Sequence, residues 1–209
     1  MRKIVLTAYG DKHKDLLDRC KKSLPDDVIH STQFDWGNGK AWAMNNLIKN
    51  LNDDDIVFLI DADDMAYPEW FEADRLALLK DYDLVYGDCL NATAITDQDV
   101  FGKYFWSRPF WTELLKRENY IPYSTVIVKG WLLKKVGYDD TPHVGDWMTW
   151  HKMLQHTNKF VYYPGVCCIR DTSTSYFDTG NKYVVWLKRK IRNYFAKRNI
   201  KKIWNSTHE

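Results

Sequence analysis

The sequence predicts a single α/β domain with a mostly parallel central sheet flanked by helices. Short apolar runs rich in β-branched residues, at 4–9, 28–34 and 56–60, alternate with segments whose apolar residues recur at helical spacing. A βαβαβ order of this kind requires right-handed crossovers and builds a parallel half-sheet. With 209 residues, the chain is also long enough to bury one sizeable core.

The first two helices follow from apolar residues spaced three or four positions apart. In the first helix, which Pro25 ends, these residues are Leu16, Leu17, Cys20 and Leu24. In the second helix they are Ala41, Met44, Leu47, Ile48 and Leu51. A third helix over 69–80 is expected to begin after Pro68.

The second half of the chain continues the alternation. We expect strands at 83–88, 124–128 and 159–163, and helices at 130–136 and 147–156. Residues 89–120 have no clean period and contain several aromatic residues, which predicts a mobile loop or a substrate-facing insertion.

A basic tail follows the main domain, which we place at residues 1–180. In the tail, residues 181–209, lysine and arginine interleave with apolar residues, so we expect a basic amphipathic helix. Such a helix can lie on an anionic membrane surface, which would make the protein peripheral at the membrane. It can equally be a solvated helix with one face packed on the core.

Charge and cysteine content narrow the function classes. The net charge is +2 and the basic residues concentrate in the tail rather than along a recognisable binding fold, so we expect no nucleic-acid partner. The four cysteines form no CxxC pair, which is typical of reduced thiols in a cytoplasmic protein. No apolar run is long enough to span a bilayer, and because the chain enters a strand directly we expect no signal peptide.

An acidic cluster, Asp61-Ala62-Asp63-Asp64, follows the third apolar run directly. Carboxylates at the end of a buried parallel strand lie at the sheet edge where open α/β folds bind ligands. They can hold Mg²⁺ or Mn²⁺, and the ion can bridge phosphates. We therefore expect a site for a nucleotide diphosphate and a metal, although Asp63 and Asp64 could instead cap the next helix.

Four stretches together resemble the family 2 glycosyltransferases of GT-A fold. They are Thr7-Ala8-Tyr9, Gly39-Lys40-Ala41-Trp42-Ala43-Met44-Asn45-Asn46, Leu59-Ile60-Asp61-Ala62-Asp63-Asp64 with Pro68, and Val136-Gly137-Tyr138-Asp139 followed by Gly145-Asp146. The resemblance covers residues 3 to 160 and implies a GT-A (Rossmann-like) domain that uses a nucleotide-sugar donor.

The resemblance also implies roles for the donor-binding residues. Thr7, Ala8 and Tyr9 would cradle the nucleotide base, and Asp35 would accept a hydrogen bond from a uracil N–H. Asp61 would contact the ribose or the metal, and Asp63 would bind the divalent ion on the diphosphate.

The remaining candidates lie later in the chain. Asp146 matches the second acid of the family's Glu-Asp pair, which is the catalytic base of inverting members. Gly145 replaces the glutamate of that pair, so Asp139 and Asp140 stay open as alternative bases. His143 is a candidate to complete the metal shell, and the strand position of Asp88 suggests that it holds a sugar hydroxyl.

The expected function is metal-dependent transfer of a sugar, with inversion, from a UDP-sugar to a hydroxyl of a glycan or glycolipid. A haloacid-dehalogenase-like phosphatase is one alternative, because it also places DxD after a strand. Such phosphatases usually carry Thr or Val two residues after the second Asp, where this chain has Met65. A non-catalytic module that binds nucleotide-sugar or carbohydrate is the other alternative.

Overall fold

A computed structural model describes residues 1–95, 100–142, 144–172 and 182–205. Within these ranges the strands are β1 Lys3–Tyr9, β2 Ile29–Phe34, β3 Ile56–Leu59, β4 Met65–Ala66, β5 Leu84–Ile95, β6 Val100–Phe105, β7 Ile127–Lys129 and β8 Phe160–Asp171. The α-helices are α1 Lys14–Lys22, α2 Gly39–Ile48, α3 Ala73–Ala77, α4 Thr112–Leu115, α5 Gly130–Val136, α6 Gly145–Met153 and α7 Lys182–Asn205. Short 3₁₀ helices lie at Asp11–His13, Pro68–Phe71, Leu78–Lys80 and Tyr123–Thr125.

All of these strands join one sheet in the order β2-β1-β3-β7-β5-β8-β4, with β6 paired to β5. Strand β1 runs parallel to both β2 and β3, which confirms the predicted βαβαβ half-sheet. Strand β7 runs antiparallel to both of its neighbours, β3 and β5. The α/β fold is therefore confirmed, but the sheet is mixed, and the expected parallel order holds mainly for its first half.

The reversal at β7 has a simple geometric origin. Strands β6 and β7 both pair antiparallel with the same side of β5, β6 with its later residues and β7 with Leu84 and Val85. The chain thus turns back after β5, leaves the sheet over residues 106–126, and resumes the same direction in β7. No crossover separates β5 from β7, and parallel pairing requires one.

Pairing between distant parts of the chain makes two strands longer than the sequence predicts. Strand β5 continues to Ile95 and β8 continues to Asp171, because the two pair with each other over most of their lengths. Register shifts in β5 near Asp88 accommodate the Pro164-Gly165 pair in β8. The segment expected to be an aperiodic loop from residue 89 therefore begins as a β-hairpin arm. The predicted helix over 69–80 is broken, because Glu72 has an extended conformation between two short helices.

The core lies on both faces of the sheet. Alternate residues of β3 point to opposite faces, so Val57 and Leu59 join one apolar cluster while Ile56 and Phe58 join the other. Helices α2, α5, α6 and α7 cover the first face, and α1 with the Pro68–Phe71 turn covers the second. Burial on both faces explains why β3 reads as an unbroken apolar run.

The tail forms the helix α7, whose inner face packs on the main core. Ala196 and Ile200 are buried there, and the Trp204 indole donates a hydrogen bond to His151 Nδ1 at 3.2 Å. Packing of one face on the core, one of the two roles expected for the tail, is therefore observed. In the described part of the chain, no helix combines the length and apolar character that crossing a membrane requires.

Candidate functional site

The acidic cluster forms a tight turn directly after β3. The Asp64 amide donates a hydrogen bond to the Asp61 carbonyl at 3.0 Å, which closes the turn. As a result, Asp61, Asp63 and Asp64 each offer a carboxylate oxygen, and these oxygens lie within 4.8 Å of one another. A buried strand thus delivers three acids to the carboxyl edge of the parallel half-sheet, as the sequence predicts.

The three acids differ in their surroundings. Asp64 is buried, accepts a 2.5 Å hydrogen bond from Ser124 Oγ and a 3.2 Å bond from the Asp171 amide. Burial, together with the nearby Asp61 and Asp63 charges, raises the pKa of Asp64 to about 8. Asp64 therefore anchors the turn, and the half-buried Asp61 and Asp63 are the two acids available to a ligand.

The carboxylate oxygens of the acidic turn suit a hard divalent cation. Paired carboxylate oxygens are the ligands that Mg²⁺ and Mn²⁺ prefer. Asp61 already contacts a positive group, the Lys40 ammonium, at 2.5 Å. His13 Nε2 lies 4.0 Å from Asp63 Oδ2 and is a histidine near the acids that sequence reasoning missed. His143, the expected histidine ligand, lies outside the described residues.

Lys40 is held between two aromatic rings. Its ammonium lies 3.4 Å from the Tyr123 ring centroid and 5.4 Å from that of Tyr138. Burial by itself lowers the pKa of Lys40, but Asp61 and Tyr123 outweigh it and hold the pKa above the ordinary lysine value. Asn45 fixes the second ring, because its side chain bonds both the amide and the carbonyl of Tyr138. The site therefore contains a permanent, positioned cation.

A cavity of about 800 Å³ opens beside the acidic turn. Its lining includes acids and a cation from separate parts of the chain, among them Asp61, Lys40, Asp146 and Arg170. Residues from the segment before β7 and from α7 complete it, including Glu118, Asn119 and Asn193. The fold thus brings Asp61 and Asp146 to one cavity.

Asp146 lies in the first turn of α6. Its Oδ2 accepts a 3.0 Å hydrogen bond from Asn119, and its Oδ1 accepts a 2.8 Å bond from the Trp147 amide. Burial raises the pKa of Asp146, and Lys40 opposes part of that rise. A carboxylate held in this way is oriented into the cavity lining and is more basic than an exposed one.

The two alternative bases have different surroundings. Asp139 is buried, forms a 2.8 Å ion pair with Lys152 and accepts a 2.8 Å hydrogen bond from the Thr141 amide. Burial alone would raise the pKa of Asp139, but these contacts with Lys152 and Thr141 lower it. Asp139 is thus a weaker proton acceptor than Asp146, whereas Asp140 is exposed on the cavity lining.

The residues expected to bind the nucleotide base lie at the neighbouring ends of β1 and β2. Tyr9 pairs with Phe34, and the Asp35 amide donates a 2.9 Å hydrogen bond to the Tyr9 carbonyl. Thr7 and Ala8 are buried, and the Thr7 hydroxyl lies 3.0 Å from His30 Nε2. Tyr9 and Asp35 therefore form an accessible corner, whereas Thr7 and Ala8 have no exposed side chain to offer a base.

Comparison with known proteins places this site in a family. Residues 8–141 match the sequence profile of glycosyl transferase family 2. The chain belongs to this family. The matched region contains Asp35, Asp61 and Asp63, whereas Asp146 and Arg170 lie beyond its end. Family 2 membership decides against the haloacid-dehalogenase-like phosphatase.

Solved structures share the fold of this chain. The crystal structure of residues 1–349 of S. aureus TarS in complex with UDP-GlcNAc has a TM-score of 0.60 and 12% identity, and the match covers 84% of this chain. The chain spans only 62% of that TarS structure. A mannosyltransferase from Pyrobaculum calidifontis, PcManGT, in complex with GDP-Man and Mn²⁺ has a TM-score of 0.53 and 14% identity, with 99% of this chain and 75% of that one covered. No curated protein sequence matches the chain significantly.

Among the predicted site residues that the structure describes, Asp61 and Asp146 line the cavity, whereas Thr7, Ala8, Tyr9, Asp35, Asp63 and Asp88 do not. Asp88 is fully buried, and its carboxylate accepts hydrogen bonds from the Ser107 amide at 2.6 Å, the Tyr162 hydroxyl at 2.9 Å and the Gly165 amide at 3.1 Å. These contacts occupy both oxygens, so the structure gives Asp88 the role of joining β5, β8 and the segment after β6. It does not bring Asp88 to a sugar hydroxyl.

Sequence reasoning missed several residues of the cavity. They are Lys40, Asn119, Tyr123, Tyr138 and Arg170. Lys40 did carry a signal, since a lysine in the first turn of α2 lies at the positive end of the helix dipole and calls for an anionic partner. The others come from segments without a period, and only the fold shows that they meet.

Proposed function

We propose that this family 2 protein transfers a sugar from a nucleotide-diphosphate donor, a UDP-sugar, to a hydroxyl of a glycan or glycolipid, with inversion and with a divalent metal. One observation carries the proposal: Asp61, a candidate metal ligand, and Asp146, whose pKa is raised by burial, line the same cavity. A site for the nucleotide-sugar donor needs a metal ligand, and a site for the acceptor needs a group that takes its proton. The fold of two nucleotide-sugar-bound structures supports the same reading.

Asp61 and Asp63 would hold the divalent ion, Mn²⁺ or Mg²⁺. When bound, the ion supplies positive charge against the diphosphate leaving group. Lys40 would add a second positive charge, because its ammonium already lies 2.5 Å from Asp61 and its pKa keeps it protonated. Asp64 would keep the turn in place through its bond to Ser124.

Asp146 would take the proton from the acceptor hydroxyl. Its two hydrogen bonds fix the orientation of the carboxylate, and burial raises its pKa, which improves it as a proton acceptor. Attack from the Asp146 side on a sugar whose diphosphate lies on the Asp61 side is an in-line displacement. Such a displacement inverts the anomeric carbon.

The nucleotide base of the donor would lie against Tyr9 and Asp35. The Asp35 carboxylate also accepts a 3.0 Å hydrogen bond from the Gly37 amide, so its orientation is set before a ligand enters. A carboxylate can accept from uracil N3–H, and it can accept equally from the guanine N1–H. The structures of TarS with UDP-GlcNAc and PcManGT with GDP-Man are consistent with either base, and we favour uracil.

Calorimetric titration tests the donor site. UDP, GDP, CDP and TDP would each be titrated with Mn²⁺ and, in parallel, with EDTA. We expect tight binding of UDP that requires the metal. If only GDP binds, the donor is a GDP-sugar rather than a UDP-sugar. If the folded protein binds none of the four nucleotides, the proposal is contradicted and a carbohydrate-binding module is favoured.

The pH dependence of kcat/KM should report Asp146. Because a base must be ionised, activity is lost as pH falls through its pKa, and burial places that acid limb above the ordinary aspartate pKa of about 4. Lys40 lowers the pKa of Asp146, so Lys40→Met should move the acid limb to higher pH.

The matched control for this profile is Lys49→Met, which removes an exposed lysine just after the same helix. The control variant should leave both kcat/KM and the pH at which the acid limb lies unchanged. An acid limb that stays in place in Lys40→Met, whatever the loss of rate, would show that Asp146 is not the titrating base.

The outer face of α7 suggests a membrane partner. Residues 182–205 contain no acid, and the exposed cations include Lys197, Arg198, Lys201 and Lys202. Each cation near an anionic surface contributes about 1 kcal/mol. We therefore expect the protein to sediment with anionic vesicles and not with neutral ones.

Changing these four cations to glutamate should abolish that sedimentation. The control carries glutamate at four exposed lysines elsewhere, Lys21, Lys22, Lys134 and Lys135. Equal losses in both variants would mean that net charge, rather than α7, is responsible.

A further inference from the structure

We propose that Lys40 competes with the divalent ion for the Asp61 carboxylate, and that a nucleotide diphosphate relieves this competition by giving Lys40 another anionic partner. Lys40 thereby couples the binding of the metal to the binding of the nucleotide. The inference rests on the proposed function, since it concerns the order in which the donor site fills.

The ion pair between Lys40 and Asp61 is the first observation. Lys40 Nζ donates a hydrogen bond to Asp61 Oδ1 at 2.5 Å. In the part of the chain that the structure describes, no other side chain forms an ion pair with Asp61. The same residue belongs to the group of three acids whose ligand oxygens lie within 4.8 Å of one another. One carboxylate therefore serves both the lysine and the candidate metal site.

Two cations on one carboxylate oppose each other. Mg²⁺ and Mn²⁺ bind carboxylate oxygens directly, so an ion held by Asp61 would share that acid with the Lys40 ammonium. Positive charges at such short range repel each other, and the repulsion is larger for a divalent ion than for a monovalent one. Lys40 therefore lowers the metal affinity of Asp61 and Asp63 as long as its ammonium has no other anion to contact.

Two aromatic rings keep the Lys40 ammonium inside the cavity. The Tyr123 and Tyr138 centroids lie 3.4 and 5.4 Å from Nζ, and both residues line the cavity with Lys40. Ring faces attract cations. The Asn45 side chain bonds the Tyr138 amide and carbonyl at 2.8 and 2.9 Å, and the Tyr123 hydroxyl lies 3.3 Å from Met44 Sδ. The rings thus hold the positive charge in the cavity when Lys40 gives up Asp61.

A nucleotide diphosphate is the anion that completes this exchange of partners. Phosphate oxygens form strong charge-assisted hydrogen bonds with ammonium groups. Lys40 can then contact the diphosphate, which leaves the Asp61 carboxylate free for the metal. By linkage, a diphosphate that draws Lys40 away from Asp61 raises the metal affinity, and the metal raises the diphosphate affinity by the same factor.

Titration of Mn²⁺ alone into the full chain, followed by the electron paramagnetic resonance signal of the free ion, tests the competition. We expect weak binding by the wild type and binding about 10-fold tighter by Lys40→Met, because this substitution removes the competing charge. Lys40→Arg keeps a cation at the position and should bind Mn²⁺ as weakly as the wild type. Uridine, which lacks the diphosphate, should leave the Mn²⁺ affinity of the wild type unchanged.

The matched control is Lys49→Met, which removes an exposed lysine just after the same helix. Its Mn²⁺ affinity should equal that of the wild type. Thermal unfolding followed by circular dichroism verifies that each variant is folded.

Calorimetric binding of UDP with Mn²⁺ to the same proteins separates this inference from the proposed function. If folded Lys40→Met binds Mn²⁺ alone no more tightly than the wild type, the competition is wrong, and metal-dependent UDP binding by the wild type would leave the proposed function standing. If neither protein binds Mn²⁺ alone, the competition is also wrong. If the wild type does not bind UDP with Mn²⁺, the proposed function fails, and with it the role of the diphosphate.

Discussion

Asp63→Ala is expected to abolish metal-dependent nucleotide binding, with a loss of at least about 100-fold in affinity for UDP with Mn²⁺. The substitution removes one of the two accessible carboxylates of the acidic turn. It should not unfold the turn, because Arg19 bonds the backbone carbonyl of Asp63 at 2.7 Å and Asp64 keeps its bond to Ser124. Calorimetry with Mn²⁺ and with EDTA measures the effect.

Asp54→Ala is the control, because Asp54 is an exposed acid before the opposite end of β3. Its UDP affinity and metal dependence should equal those of the wild type. Retention of both properties by Asp63→Ala would remove the central claim of a metal-bound diphosphate.

Asp146→Asn should leave UDP binding nearly intact and reduce sugar transfer by about 10²- to 10⁴-fold, the usual contribution of a general base. The amide matches the carboxylate in size and can still accept the hydrogen bond from the Trp147 amide. It cannot take a proton from the acceptor. Single-turnover transfer from a donor sugar, measured beside calorimetric binding, separates the chemical step from donor affinity.

Asp140→Asn serves as the control for this variant, because Asp140 is an exposed acid on the same cavity lining. Full transfer by Asp146→Asn together with loss in Asp140→Asn would move the base to Asp140. Asp139 is a poorer alternative, since its ion pair with Lys152 lowers its pKa.

Local pattern was sufficient to locate the acids of the proposed donor site. An apolar strand buried on both faces, followed at once by acids, has few other meanings, so the positions of Asp61 and Asp63 could be predicted. The same pattern could not separate Asp64 from them. Its burial and its bonds to Ser124 and Asp171 come from residues 60 and 107 positions away.

The proposed acceptor side was harder to predict from the sequence. Asp146 was found through its resemblance to a family motif, and its partner Asn119 comes from a segment with no period. The surroundings of Asp88 show a related limit of sequence reasoning. A strand position indicates the sheet edge, but only the arrangement of Tyr162, Ser107 and Gly165 shows that the carboxylate is enclosed.

The sequence by itself determined the α/β class, the parallel half-sheet and the acidic turn, because each depends on hydrophobic period and on residues adjacent in the chain. The tertiary structure decided the direction of β7, the lengths of β5 and β8, the ion pair of Lys40 with Asp61, and the meeting of Asp61 with Asp146. These features depend on contacts between distant residues, whose energies no local pattern records. The candidate cavity is built from such contacts, so its lining could be described only from the folded structure.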